Sequence, residues 1–368
     1  MFFLPIFAGA KQKYLEDNNP TTITYFSDSL VKDIEVPLRF TFPFNYEPHP
    51  LTKIAATALQ GYLETQTDLE HNFGLTQDRE GQAIGKMFGV LVVKDKDGAL
   101  GYLSAFSGKL GGSNHHPEFV PPVFDMLVEN SFFLKQIEVI NAINRQIKEI
   151  EAGDNYQVLK HDLERSQALS TLEIVDFKQQ LKINKGNRKK RREEQGIVLS
   201  DDDRSAFEAN LIKQSLYDKH RLNVLLNKWE LVLGEKITGI EHFEVQLTTL
   251  KSGRKRKSAA LQTQLFEHYE FLNKYGDKKN LQSIFNDTTE GKPPAAAGEC
   301  ATPKLLQHAF LNGYEPIAMA EFWWGISPGS EVRKHKQFYP ACTEKCKPIL
   351  KHMLEGMTLD EDPLVKNQ

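Results

Sequence analysis

The chain has 368 residues, 40% of them hydrophobic and 26% charged, a balance that suits a soluble globular protein with two or three domains. Its net charge of −3 excludes a uniformly basic nucleic-acid binder, so any such role falls to local patches. Phe2 to Ala10 is apolar but short, with no basic residue before it, and no run is long enough to span a membrane.

In chain order, residues 1–35 read as an N-terminal segment and 36–122 as the first part of an α/β or α+β domain. Leu51–Thr65 is expected to be a helix and Met87–Val93 a buried strand. Asp95-Lys96-Asp97-Gly98 is a turn with Gly98 suited to positive φ, and Ala99–Ser107 is the returning strand. Asn114-His115-His116-Pro117 reads as a loop rather than a metal or phosphate contact.

None of the 17 prolines lies between Pro122 and Pro293. Proline costs a helix interior about 3 kcal/mol, so the gap points to long helices. Phe133, Ile137, Ile140, Ile143, Ile147 and Ile150 recur at three- and four-residue steps, as do Leu222, Leu225, Trp229 and Val232. Residues 123–292 are therefore expected to be an antiparallel helical hairpin or coiled coil inserted into the domain. Gly186 and Gly196 would bracket its break, Asp201 to Asp203 would cap the next helix, and Ser258–Lys274 would add a third helix.

Two basic runs sit in this insert. Lys182, Lys185, Arg188, Lys189, Lys190, Arg191 and Arg192 contain no acid between them, and Lys251, Arg254, Lys255, Arg256 and Lys257 form the second run. Clustered cations can hold RNA phosphates without reading sequence. The plainer reading is a solvated helix surface, and the lack of interleaved aromatics gives no support to base stacking.

Residues 293–368 complete the domain. Pro303–Asn312 should be a short helix stopped by Gly313, Ile317–Trp324 an apolar strand with Phe322-Trp323-Trp324 in the core, and Cys342–Leu354 a helix. All three cysteines, Cys300, Cys342 and Cys346, lie here, an odd number that fits a reducing cytoplasm better than a disulfide framework. An i, i+4 pair lies on one helix face, so Cys342 and Cys346 can share an ion with Cys300. Zinc accepts three thiolates and a fourth donor, for which His335 is the nearest candidate and His308 and His352 are weaker ones. Three buried free thiols is the plainer alternative.

The order helix with one ligand, strand, helix with two cysteines resembles the zinc nucleoside deaminases, whose signature is His-x-Glu followed by Pro-Cys-x-x-Cys. The resemblance implies a cytidine-deaminase-like core. Here Thr302 stands where the glutamate belongs, and three residues rather than two separate Cys342 from Cys346. A structural zinc is therefore easier to expect than deamination, for which Glu299 or Glu321 would have to shuttle the proton.

Three longer stretches resemble the N-terminal extension of long RluA-type RNA pseudouridine synthases. They are Arg39-Phe40-Thr41-Phe42-Pro43-Phe44 with Tyr46–Leu51; Gly85–Val90 through Gly101-Tyr102-Leu103 to Phe106–Leu110; and Gly298–Ala301, Pro303–Leu306, Met319–Gly325 and Tyr339–Cys342. The resemblance implies a role in uridine-to-pseudouridine isomerisation of rRNA or tRNA. In that family a later domain supplies the catalytic Asp. His220-Arg221-Leu222-Asn223 only superficially matches the His-Arg-Leu-Asp loop of such a domain, so no catalytic residue carries over. The expected partners are RNA and a catalytic domain in cis or in trans, with homodimerisation through the coiled coil as a further alternative and no membrane.

Overall fold

The computed structural model describes residues 23–76, 82–195, 200–329, 331–363 and 365. Phe2–Ala10 and Gly196 lie outside them. The chain falls into two compact units, residues 1–135 with 260–368, and residues 136–259.

The first unit opens with β1 (Thr24–Tyr25), α1 (Asp28–Val31), α2 (Pro50–Thr65), β2 (Lys86–Lys94) and β3 (Leu100–Phe106). The helices of the insert are α3 (Phe132–Ala152), α4 (Asp154–Gln195) and α5 (Asp201–His268). The first unit resumes with β4 (Glu270–Leu272), β5 (Lys278–Asn280), α6 (Leu281–Asn286), α7 (Ala301–Asn312), β6 (Glu315–Trp324), β7 (Phe338–Tyr339) and α8 (Cys346–Met353).

The main sheet runs β1-β3-β2-β6-β7, and every neighbouring pair is antiparallel, which makes the fold α+β. Helices cover both of its faces, so its central strands are apolar runs rather than alternating ones. On one face Ala55, Ala56, Leu59 and Leu63 of α2 meet Phe88, Val90, Phe322 and Trp324. On the other, Leu305, Leu306 and Ala309 of α7 and Ile349 and Leu350 of α8 meet Leu91, Leu103 and Met319. Phe322, Trp323 and Trp324 are all buried, as expected, and Trp323 donates its ring N–H to the Ile326 carbonyl.

Local chemistry sets the boundaries. Pro50 stands at the start of α2, and His49 Nδ1 accepts the Leu51 N–H. Asp95 Oδ1 accepts the N–H groups of Asp97 and Ala99, and Gly98 takes φ +84°, which closes the β2–β3 turn. Gly313 ends α7 in the left-handed conformation. The helix expected from Cys342 begins instead at Cys346. A helix starting four residues earlier would put Pro348 in its interior, whereas a start at Cys346 leaves that proline in the first turn, where no N–H is needed.

In the second unit, α3 and α4 are separated only by Gly153. Together they run antiparallel to α5. The register is fixed by paired side chains: Glu151 with Lys251, Tyr156 with Glu244, Asp162 with Lys236, Glu173 with Lys228, Arg188 with Asp218 and Arg192 with Glu208. Ile147, Tyr156, Ile240 and Leu247 are buried in the seam, as are Leu211 and Leu225, while Leu222, Trp229 and Val232 line it half-buried. The expected hairpin is thus present, with three corrections. Gly186 lies inside α4 with open space around it, a position where glycine costs a helix only about 1 kcal/mol. Ser200, not Asp201 to Asp203, caps α5, its Oγ accepting the Asp203 N–H and its carbonyl the Arg204 N–H. The third helix is absent: residues 258–268 continue α5, and Glu270–Leu272 is a strand paired with Lys278–Asn280.

Candidate metal centre and its surroundings

Cys300 is the N-cap of α7, Cys342 sits in the turn before α8, and Cys346 is the first residue of α8. The turn is held by Ala341 N–H donating to the Pro43 carbonyl and Cys346 N–H to the Cys342 carbonyl. Their three sulfurs lie within 4.8 Å of one another, with Cys342 Sγ 3.4 Å from Cys346 Sγ. They form a group able to hold a metal ion. Hydrogen bonds from Cys300 and then Cys346 push the Cys342 thiol far down. The same contacts, Cys342 for Cys300 and Cys300 for Cys346, push the other two up. Three sulfurs this close together suit a soft divalent cation once deprotonated.

The expected fourth ligand is not among them. His335 Nδ1 accepts the Gly325 N–H, and its ring lies edge-on to Trp324 at 4.4 Å. Its nitrogen is committed to the end of β6. His352 Nε2 faces the Phe271 carbonyl, and His308 lies near the C-terminal end of α7 beside Tyr314. None joins the thiol group among the described residues.

A carboxylate not expected as a ligand sits in this region instead. Glu321 of β6 is 4% exposed, and its Oε1 accepts both the backbone N–H and the hydroxyl of Thr302, at 3.0 and 2.7 Å. Glu321 thereby supplies the first turn of α7 with an acceptor that Cys300 does not provide. Burial raises its carboxyl to about 7, against the pull of the Thr302 bonds. Thr302 occupies the glutamate position of the deaminase signature, so a carboxyl group reaches that point from the neighbouring strand. Of the two carboxylates expected as proton shuttles, Glu299 and Glu321, it is Glu321 that reaches Thr302.

On the other side of Cys300 lies a buried ionic cluster. Lys304, 2% exposed, donates to the carbonyls of Phe106 and Gly108 and faces Glu299 Oε2 at 3.4 Å. Tyr269 donates its hydroxyl to Glu299 Oε1. Burial and the adjacent Glu299 carboxylate drive the Tyr269 hydroxyl strongly upward. Lys86 adds a second cationic group beside Lys304. Burial first, and then Lys304, lower its amine to about 8.

Because the Lys86 pKa is depressed in the fold, the unfolded chain binds more protons between about pH 8 and its usual 10.5. Stability should therefore rise as pH climbs through that window. Lys86→Met should be more stable than the parent near pH 7, by roughly 1–2 kcal/mol after allowance for partial exposure, and should lack the alkaline rise. Urea unfolding at pH 7 and pH 10 measures both; parallel curves for the two proteins would contradict the assignment.

The two basic runs lie on the hairpin unit, far from each other. Lys182 to Arg192 faces residues 208–218 of α5, and the second run begins at Lys251, about 50 Å further along that helix at 1.5 Å per residue. Several of the cations are already engaged. Arg188 is paired with Asp218, Arg192 with Glu208, Lys189 with Glu193, Lys190 with Glu194, and Lys251 with Glu151. Arg191 lies over the Phe207 ring, and Arg254 is half-buried. Lys182, Lys185, Lys255, Arg256 and Lys257 are exposed without an ion pair among the described residues. His220-Arg221-Leu222-Asn223 lies in the middle of α5, with Arg221 over the rings of Phe177 and Tyr217. Asn114 to Pro117 is a loop, as expected, in which His115 Nε2 contacts Asp125 at 2.8 Å.

Among the described residues no helix is long and apolar enough to cross a membrane. Comparison with protein-family models, curated proteins and solved structures finds no match to this chain.

Proposed function

We propose that this chain is the accessory, RNA-binding region of an RluA-type RNA pseudouridine synthase, acting with a catalytic domain in cis or in trans on rRNA or tRNA. The family resemblance supplies the reaction. The quoted stretches all fall in the first unit, on the segment leading into α2, β2, β3, the start of α7, β6 and the turn before α8. The observation that carries RNA contact is the long helical hairpin with Lys182, Lys185, Lys255, Arg256 and Lys257 exposed and unpaired. Cations already neutralised by Asp218 or Glu208 release fewer counterions, so these five should dominate the salt dependence. Replacing them with glutamine should weaken binding to an rRNA or tRNA fragment at least tenfold at low salt and flatten the slope of log K against log salt. Fluorescence anisotropy between 50 and 200 mM salt reads this; unchanged affinity would remove the hairpin from RNA contact.

We further propose that the three-cysteine group holds zinc. Thiolates suit that ion, and when bound it would tie α7 to α8 and supply folding energy. A second reading, a zinc-dependent deaminase-like enzyme, is favoured by one contact, the Glu321 carboxyl at Thr302. In that reading Cys300, Cys342 and Cys346 hold the ion and Glu321 holds a proton beside it. Ammonia release from cytidine or adenosine, lost in Glu321→Gln, would support it; no release from fully metal-loaded protein would dismiss it.

A further inference from the structure

One flank of α5, a residue before the seam positions Asp218, Leu225 and Val232, carries a regular apolar row. Tyr217, Val224, Leu231 and Val245 are 61%, 54%, 69% and 60% exposed, and Thr238 fills the missing step. These positions recur every seven residues. That spacing keeps them in one line along a helix already wound against α4. They are not part of the seam, which uses Leu211, Leu225, Ile240 and Leu247. Leu216 and Ile237, 63% and 50% exposed, widen the row on one side.

The charges along the row identify the occupant. His220, Arg221 and Lys228 precede Leu231, and Glu235 and Glu241 follow it. Such a row is self-complementary when a second one runs the opposite way. With Leu231 on the two-fold axis, Tyr217 meets Val245 and Val224 meets Thr238. Lys228, three residues before the axis, then falls on the same side as Glu235 of the other copy, four residues after it. His220 likewise falls beside Glu241. Glu230 meets a like charge in either arrangement, Glu230 of the copy when antiparallel and Glu235 when parallel, so the choice rests on the Lys228–Glu235 and His220–Glu241 pairs, which only the antiparallel arrangement forms.

We infer that the hairpin unit forms an antiparallel homodimer through this face of α5, with Leu231 at its centre. The interaction is independent of RNA and of the three cysteines.

Sedimentation of the full chain, without RNA, tests the inference. The parent should be a dimer at micromolar concentration, and Leu231→Glu should dissociate at least tenfold more readily. Glu235→Lys should weaken the dimer, and Lys228→Glu with Glu235→Lys should restore it. Because Lys228 also contacts Glu173 in its own hairpin, Glu173→Gln serves as the control and should leave the dimer intact. In otherwise native protein, Leu231→Cys should cross-link to itself with a short bis-maleimide, while Val175→Cys, off the row, should not. A monomer at 100 μM, roughly the upper limit of ordinary specific association, would overturn the inference. So would failure of the charge swap to rescue, or equal cross-linking at both positions.

Discussion

Glu299→Gln is expected to destabilise the first unit by ~3 kcal/mol or more, the range found when one member of a buried ion pair is removed. Glutamine keeps the shape and can still accept the Tyr269 hydroxyl, so the loss isolates the charge. Lys304, 2% exposed, would retain the carbonyls of Phe106 and Gly108 and the Phe106 ring at 5.1 Å, but no anion. Carbonyl dipoles solvate an ammonium only in part, and Lys86 stands near enough to repel it. Adding Lys304→Met to Glu299→Gln should recover most of the loss, because removing both charges also removes the burial penalty. Urea unfolding midpoints of the parent, single and double variants form the test. A single variant as stable as the parent would mean that the pair contributes nothing.

Metal removal should have the other large effect. If zinc occupies the cysteine group at free concentrations near a thousand times its dissociation constant, its loss lowers stability by ~4 kcal/mol. In a unit of this size that corresponds to about 10 °C in Tm, at some 2–4 °C per kcal/mol. Cys346→Ala should abolish stoichiometric metal and reproduce the shift, with chelator having no further effect on the variant. Cobalt substitution should give intense sulfur-to-metal charge-transfer absorption, whose strength reports the number of thiolates. Protein purified without chelator that contains no metal, and whose Tm ignores chelation, would leave three buried thiols as the correct description.

Local signals made much of the fold legible. Pro50, Asp95, Gly98 and Gly313 mark element ends by chemistry confined to a few residues, and the elements they bound lie where expected. The proline-free span and its three- and four-residue apolar steps announce the hairpin. What failed was punctuation inside long helices. Gly186 lies within α4 because seam packing outweighs one glycine, and the start of α8 is set by Pro348 rather than by the cysteine pair. The candidate site was legible only in part. Cys300, Cys342 and Cys346 converge as their spacing suggested, but His335, close in sequence, is held at the end of β6 by the Gly325 N–H. Glu321 was one of two candidate proton shuttles, and its contact with Thr302 depends on the packing of α7 on β6, which no local pattern encodes. The basic runs were visible as composition, and so were the i,i+4 partners Glu193 and Glu194, yet the partners of Arg188, Arg192 and Lys251 lie on the opposite helix.

The ends of the long insertion meet: the rings of Phe132, at the start of α3, and His268, at the end of α5, lie 4.7 Å apart. Strands β3 and β6, whose common neighbour is β2, are separated in sequence by more than half the chain, so the sheet cannot close until that tether is shortened. A hairpin that zips from neighbouring turns does this early, turning a long, entropically costly loop into a short one. The order of events follows: slowing the zipper, for example with a proline in the middle of α4, should delay appearance of the buried Trp324 environment, although that tryptophan belongs to the other unit.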